Sequence, residues 1–291
     1  ISRKKSKKHI RMPKTIEARV EKAITGRVFP GCVIGIVRKD GEREVVPFGR
    51  LTYDEDAPAV REDTVYDLAS ITKSIPTASL VLQFIEKGKL GLMDLVVKYL
   101  PELQNDFGAT IEDLLRYRVR GAQLSKLRYK TCEEIRTHVF ENGFDGSPGD
   151  RVYTNLPAYL LGIIIERVGD ASLARLAHTN FFEPLRMNQT TFFPERDSAI
   201  YRTISPTEIL DGEKICGIVH DEGARVFAKA GYTVGHAGLF SSAPDILNFL
   251  EALLQGKYPY VTDGAQKGLG WQLRDQMSMG KYASSHAFGK T

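Results

Sequence analysis

Apolar positions recur every three or four residues through most of the chain, and strand-like segments are read only near its two ends. Ile16, Val20, Ala23 and Ile24 predict a short helix over residues 15–25. The run Gly31-Cys32-Val33-Ile34-Gly35-Ile36-Val37 predicts a strand. Asp40-Gly41 predicts a tight turn, and residues 45–51 the returning arm of a hairpin. Residues 52–64 are polar and acidic and read as a loop. A helix then begins at Ser70, with Ile71, Ile75, Ala78, Leu82 and Ile85 on one face. Further helices are predicted over residues 94–103, 110–117, 131–141, 156–168, 172–182 and 244–254. The last has Ser242 as its N-cap and Asp245 three residues on. Residues 270–274 read as a strand again. This order predicts an α/β (α+β) fold in which a helical domain is inserted into a domain whose sheet draws on both ends of the chain. Residues 15–69 with 256–291 form the α/β part, 70–255 the mainly helical part, and 1–14 a basic disordered tail.

Composition narrows the class without naming it. At 291 residues, 42% hydrophobic and 26% charged, the chain can bury a substantial core. No apolar run approaches the length of a membrane span, so no integral membrane segment is expected. The formal charge of +4 comes from the first fourteen residues, which hold seven Lys and Arg and no acid. Without those seven, 33 basic residues face 36 acids, and nothing in the body predicts a nucleic-acid surface. The basic arm reads as a solvated tail. With no apolar segment behind it, the arm is not a signal peptide, which fits a cytoplasmic protein or, if an upstream segment has been removed before Ile1, an exported one. Cys32, Cys132 and Cys216 are odd in number and widely spaced, with no zinc pattern and no disulfide framework.

The first candidate for chemistry is Ser70 with Lys73. One turn apart on a helix, they would point the same way, a hydroxyl beside an amine. The amine can take the serine proton only when neutral, which needs burial or a nearby positive charge. The plain alternative is a helix cap and a solvated lysine. The same Ser-x-x-Lys spacing occurs at Ser2/Lys5 and Ser278/Lys281, where no helix is predicted. The second candidate is Tyr153-Thr154-Asn155, after a Gly/Pro/Asp loop. The tyrosine could relay a proton and the asparagine hold a carbonyl or the lysine, or Asn155 could simply cap the helix whose first turn holds Pro157. The third is Lys290-Thr291, which could present a cation and a hydroxyl to a carboxylate. No Gly-x-Ser-x-Gly, Gly-x-Gly-x-x-Gly or Walker loop occurs. His220, Asp221 and Glu222 are consecutive and cannot all face one metal, and no serine is marked as the nucleophile of a triad with His220, Asp221 and His236.

Ser-x-x-Lys, Tyr-x-Asn and Lys-Thr in this order resemble the serine β-lactamase and penicillin-binding-protein superfamily. The tyrosine in the middle box points to the class C β-lactamase-like branch, which includes D-peptidases and β-lactamase-fold esterases. Longer stretches share the likeness, among them Tyr66-Asp67-Leu68-Ala69-Ser70, Lys98-Tyr99-Leu100-Pro101-Glu102 and Gly235-His236-Ala237-Gly238-Leu239. The resemblance implies an antiparallel sheet flanked by helices, and a serine hydrolase acting through an acyl-enzyme. Ser70 would be the nucleophile, Lys73 its base and Tyr153 the proton relay to the leaving group. Asn155 would orient the substrate amide, Lys290 and Thr291 would bind a carboxylate, and His220 and His236 would be structural. The implied substrate is a β-lactam, a D-Ala-D-Ala-type peptide or a small ester, with no cofactor or metal. A catalytically weak peptidoglycan-binding or sensor module is the alternative.

Two departures from the family pattern stand out. A His-Thr-Ser-Gly-like loop is replaced by Arg116-Tyr117-Arg118-Val119-Arg120-Gly121, and Pro76 lies one turn into the Ser70 helix, where it would break or kink a regular one. In the resembling family the chain continues past Lys-Thr into further strands and a helix. The expectation here is therefore a longer native polypeptide, or a partner chain that completes the sheet.

Overall fold

The computed structural model describes residues 10–210, 212–275 and 279–291. The Ser2/Lys5 pair and Ser278 lie outside the described residues. Helix α1 (Lys14–Thr25) precedes a hairpin of β1 (Gly31–Val37) and β2 (Arg43–Gly49), in antiparallel register from Gly31 opposite Gly49 to Val37 opposite Arg43. Residues 10–14 are not loose tail. Glu42 and Glu44 accept the backbone amides of Ile10 and Met12, and Met12 is buried.

Strand β3 (Val65–Asp67) enters the segment that carries Ser70, which is not one regular helix. A 3₁₀ turn (Ala69–Lys73) and a π turn (Ser74–Ala78) precede α2 (Ser79–Glu86). The break falls at Ile75, with φ −117° and ψ 108°, before a cis Ile75–Pro76 peptide. A residue before proline is pushed out of the helical region toward extended values, which places the break there. Hydroxyls hold the irregular turns: Ser74 donates to the Gly270 carbonyl (2.6 Å), Thr77 to that of Gly235 (2.8 Å) and Ser79 to that of Ser74 (2.8 Å).

The helices that follow are α3 (Ile111–Leu115), α4 (Cys132–Asn142), α5 (Leu156–Gly169), α6 (Leu173–Ala177) running into a π turn (His178–Phe182), and α7 (Ser198–Tyr201). Thr110 and Thr131 start α3 and α4 with reciprocal capping boxes to Asp113 and Glu134. No helix spans residues 94–103, where there is only a 3₁₀ turn (Val96–Lys98). Asp94 instead accepts from the Gly91 amide, Lys98 and Tyr99, which competes with a regular turn.

Beyond α7 come β4 (Glu208–Leu210) and β5 (Glu213–Ile215), α8 (Glu222–Lys229), β6 (Phe240–Ser242), α9 (Ala243–Leu254), α10 (Pro259–Gln266), β7 (Gln272–Leu273) and β8 (Phe288–Gly289). Among the described residues the strands pair two by two, all antiparallel: β1 with β2, β3 with β6, β4 with β5 and β7 with β8. β3 and β6 are far apart in sequence, and their ladder brackets the helical stretch. Helix α9 packs on β1 and on β6. Ser242 does precede α9, but its hydroxyl makes no cap. Asp245 is drawn away to the Gln189 amide (2.7 Å) and the Thr190 hydroxyl (2.8 Å).

The core is formed mainly by the helices. α5 is apolar nearly all round and buries Leu156, Leu160, Leu161, Ile164 and Ile165 against α2 and α3. A side chain at Gly235 would bring its Cβ to 2.2 Å from the Ala158 carbonyl, so the loop leading to His236 reaches α5 only because that position is glycine. The three cysteines are unbridged, and Cys32 is half-buried in β1.

Candidate active site

Ser70 is presented by a short, strained turn. Ala69 has φ 44°, uncommon for a residue with a side chain. Asp67 holds the turn: its Oδ1 accepts from the Ala69 amide and its Oδ2 from the His220 amide, both at 2.7 Å. The 3₁₀ geometry that follows eclipses side chains three residues apart. Ser70 and Lys73 therefore meet more directly than on an α-helix, with Oγ and Nζ 2.7 Å apart. The Ser70 backbone N–H donates to no described residue.

Lys73 is 1% exposed. Its other hydrogen bond goes to the His236 carbonyl at 2.9 Å, and no carboxylate among the described residues comes within ion-pair distance. Burial without a partner disfavours the ammonium and lowers the pKa to about 8, while the charge of Asp221 pulls it back up.

Tyr153 and Lys290 stand beside this pair. Lys290 Nζ donates to the Tyr153 hydroxyl at 2.7 Å and lies 4.1 Å from the ring centroid; Lys73 Nζ lies 5.3 Å from the same centroid. Burial, then the charges of Lys73 and Arg151, bring the Lys290 pKa down to about 7. Burial raises the Tyr153 phenol, against a hydrogen bond with Ser70 and the charge of Arg151, so the hydroxyl keeps its proton at neutral pH. Thr291 is exposed, and its hydroxyl makes no hydrogen bond with a described residue.

Asn155 occupies the N-cap position of α5, but its side chain does not cap. Its Nδ2 donates to Asp221 Oδ2 at 2.9 Å. Asp221 is the junction of the inner wall: Oδ1 caps α8 by accepting from the Ala224 amide (2.9 Å) and also meets His236 Nε2 at 3.2 Å. His236 is fully buried, which pushes its pKa down and keeps the ring neutral, so Nε2 carries the proton given to Asp221. Burial alone would raise the Asp221 carboxyl; the donors from His236, Ala224 and Asn155 outweigh it and hold it well below the usual carboxylate range. His220 is exposed, 3.8 Å from Glu208.

The sequence reading missed Asp221 as this junction and Tyr117 as the ring packed against Tyr153. Asp221 could have been found as an N-cap, since the amphipathic stretch 222–229 follows it directly. Tyr117, from the divergent loop 116–121, is buried with its ring centroid 5.2 Å from that of Tyr153. Ser70 lines a cleft of about 1180 Å³ that runs past Asp221 and along α8 to Arg225, Arg128 and Lys130. A buried amine on a serine hydroxyl, a neutral phenol and a second cation together suit nucleophilic attack on a carbonyl with proton transfer. Among the described residues no His, Cys, Asp and Glu cluster has the makings of a metal site.

The chain is 28% identical over 284 residues to a putative D-alanyl-D-alanine carboxypeptidase of Salmonella agona, a match covering 79% of this chain and 64% of the relative's length. Among solved structures it is similar to the octameric penicillin-binding protein homologue from Pyrococcus abyssi (TM-score 0.69, 23% identity, covering 87% of this chain and 59% of that one). It is also similar to the D-alanine carboxypeptidase AmpC from Burkholderia cenocepacia (TM-score 0.68, 21% identity, covering 87% and 68%). These likenesses show a β-lactamase-like fold. The β-lactamase family model matches residues 16–291, and the chain belongs to that family.

Proposed function

We propose that the protein is a serine hydrolase that forms an acyl-enzyme at Ser70. The observation that carries this reading is the 2.7 Å contact between Ser70 Oγ and a buried Lys73 amine that has no carboxylate partner among the described residues. Neutral Lys73 takes the hydroxyl proton as Oγ bonds to the carbonyl carbon. The free Ser70 N–H, at the start of the 3₁₀ turn, supplies a donor for the oxyanion. The bond from carbon to the leaving nitrogen or oxygen then breaks. Tyr153, protonated and beside the Ser70–Lys73 pair, gives its proton to the leaving group and is reprotonated through the lysines. Water attacks the ester in a second cycle of the same groups.

Asn155, anchored by Asp221, has its amide oxygen available to orient a substrate N–H, and Lys290 with Thr291 supplies a cation and a hydroxyl for a carboxylate. The named carboxypeptidase relative supports a D-Ala-D-Ala-type peptide as the substrate class. Turnover of such peptides, of a chromogenic cephalosporin and of a p-nitrophenyl ester tests the reading. Activity on at least one, abolished in Ser70→Ala, is expected; no turnover and no covalent adduct with any of them contradicts it.

A further inference from the structure

A second recess, of about 370 Å³, borders the site and shares no residue with the Ser70 cleft. Arg116, Arg118, Arg151 and Arg274 line it, with Trp271 and a single carboxylate, Asp275. Two of the arginines are engaged from behind. Arg116 donates to Glu112 and to the Lys267 carbonyl, each at 2.7 Å, and Arg118 stands 3.6 Å from Asp113. Arg274 donates to the Lys281 carbonyl at 3.1 Å. Arg151 has no hydrogen bond or ion pair with a described residue. Its guanidinium lies 5.9 Å from the Tyr117 ring centroid, and Lys290 Nζ lies 5.5 Å from the same centroid.

Arginine side chains donate and never accept, and their planar forks match the oxygens of carboxylates and phosphates. Glu112 and Asp113 compensate Arg116 and Arg118 in part, which leaves Arg151 as the guanidinium of this recess with no anion partner among the described residues. Arg151 carries this field as far as Tyr153 and Lys290, whose protons it helps to release. Tyr153 is the proposed donor to the leaving group, so the part of the substrate that departs passes from Ser70 toward Tyr153 and the arginines.

We infer that the arginine-lined recess binds an oxyanion, a carboxylate or phosphate additional to the group met by Lys290, carried on the leaving portion of the substrate. This rests on the acyl-enzyme reading of Ser70, and its test separates the two. Trp271 is the only tryptophan in the chain and lies in the wall of the recess, so its fluorescence reports occupancy without catalysis. Ser70→Ala protein is titrated with inorganic phosphate and, separately, with glutarate at low ionic strength. A saturable change with either is expected; which anion binds tells phosphate from carboxylate. Affinity should fall roughly tenfold or more in Arg151→Gln and in Arg274→Gln, as for loss of a charged hydrogen bond, and should weaken with salt. Two variants are used so that a folding failure in one leaves the other. On the active enzyme, the kcat/KM ratio for ester substrates with and without an added carboxylate on the leaving group should fall by a similar factor in Arg274→Gln. No saturable change with either anion, unchanged affinity in both variants, or an unchanged ratio overturns the inference. Anion binding alongside an unreactive Ser70 contradicts the hydrolase reading instead.

Discussion

Asp221→Ala should destabilise the protein by roughly 2–4 kcal/mol. The residue caps α8 through the Ala224 amide, and loss of such a cap costs about 1 kcal/mol. It also accepts from His236, which is 0% exposed and has no other partner for Nε2 among the described residues. Orphaning that donor costs about 1–3 kcal/mol. The half-exposed Asn155 amide can turn to water and adds little. Urea unfolding of wild type and variant, compared at equal m, measures the difference. Its pH dependence follows from the depressed carboxyl. Asp221 contributes its stability above the unfolded value of about 4 and loses it as pH falls through the lower folded value, so the gap should be constant from about pH 6 to 8 and narrow only in acid. Asp221→Asn isolates the charge, whose loss removes the pull that raises the Lys73 pKa and should shift the acid limb of the rate profile to lower pH. A loss below about 1 kcal/mol in Asp221→Ala, with an unshifted profile in Asp221→Asn, would refute the junction described here.

The rate should rise as Lys73 loses its proton near pH 8 and, for a carboxylate-bearing substrate, fall as Lys290 loses its own near pH 7. Because the two are close in charge and space, the profile is a narrow bell belonging to the pair, and a substrate without a carboxylate should lose the alkaline limb; equal profiles for both substrates count against Lys290 as the carboxylate site. Lys73→Ala and Tyr153→Phe should each lower acylation or deacylation on the order of 100- to 10,000-fold, and melting curves run beside the kinetics should show folded protein; a full rate per folded molecule would remove them from the mechanism. Gly235→Ala should destabilise by about 1–3 kcal/mol or more, since its Cβ would meet the Ala158 carbonyl; a neutral melting temperature would show that the loop can shift away.

Periodicity located α1, the β1–β2 hairpin, α4, α5 and α9, because each helix carries apolar residues at helical spacing and β1 is a continuous apolar run that ends at a turn. It failed where a local side-chain contact or a distant one decided the backbone. Asp94 replaced a predicted helix with a network of donors, and Asp245 left the cap of α9 for Gln189 and Thr190. At the site, the spacing of Ser70 and Lys73 was legible, and so was the risk posed by Pro76. The 3₁₀ turn that presses the pair together was not, because it depends on Asp67 and on the loops holding residues 74–79. Asn155 shows the limit most clearly. Sequence offered capping and substrate contact as its roles, while its nearest partner, Asp221, lies 66 residues away. The recess beside the site was hidden for the same reason, being assembled from loops near residues 116, 151 and 274.

Everything proposed for the site depends on Ser70 being the nucleophile, activated by Lys73. The most direct measurement is covalent labelling with a fluorescent penicillin and with a fluorophosphonate, followed by mass spectrometry of the digested adduct. One modified residue, Ser70, is expected, with labelling abolished in Ser70→Ala and sharply slowed in Lys73→Ala. Label on a different serine, or undiminished labelling of Ser70→Ala, would contradict it.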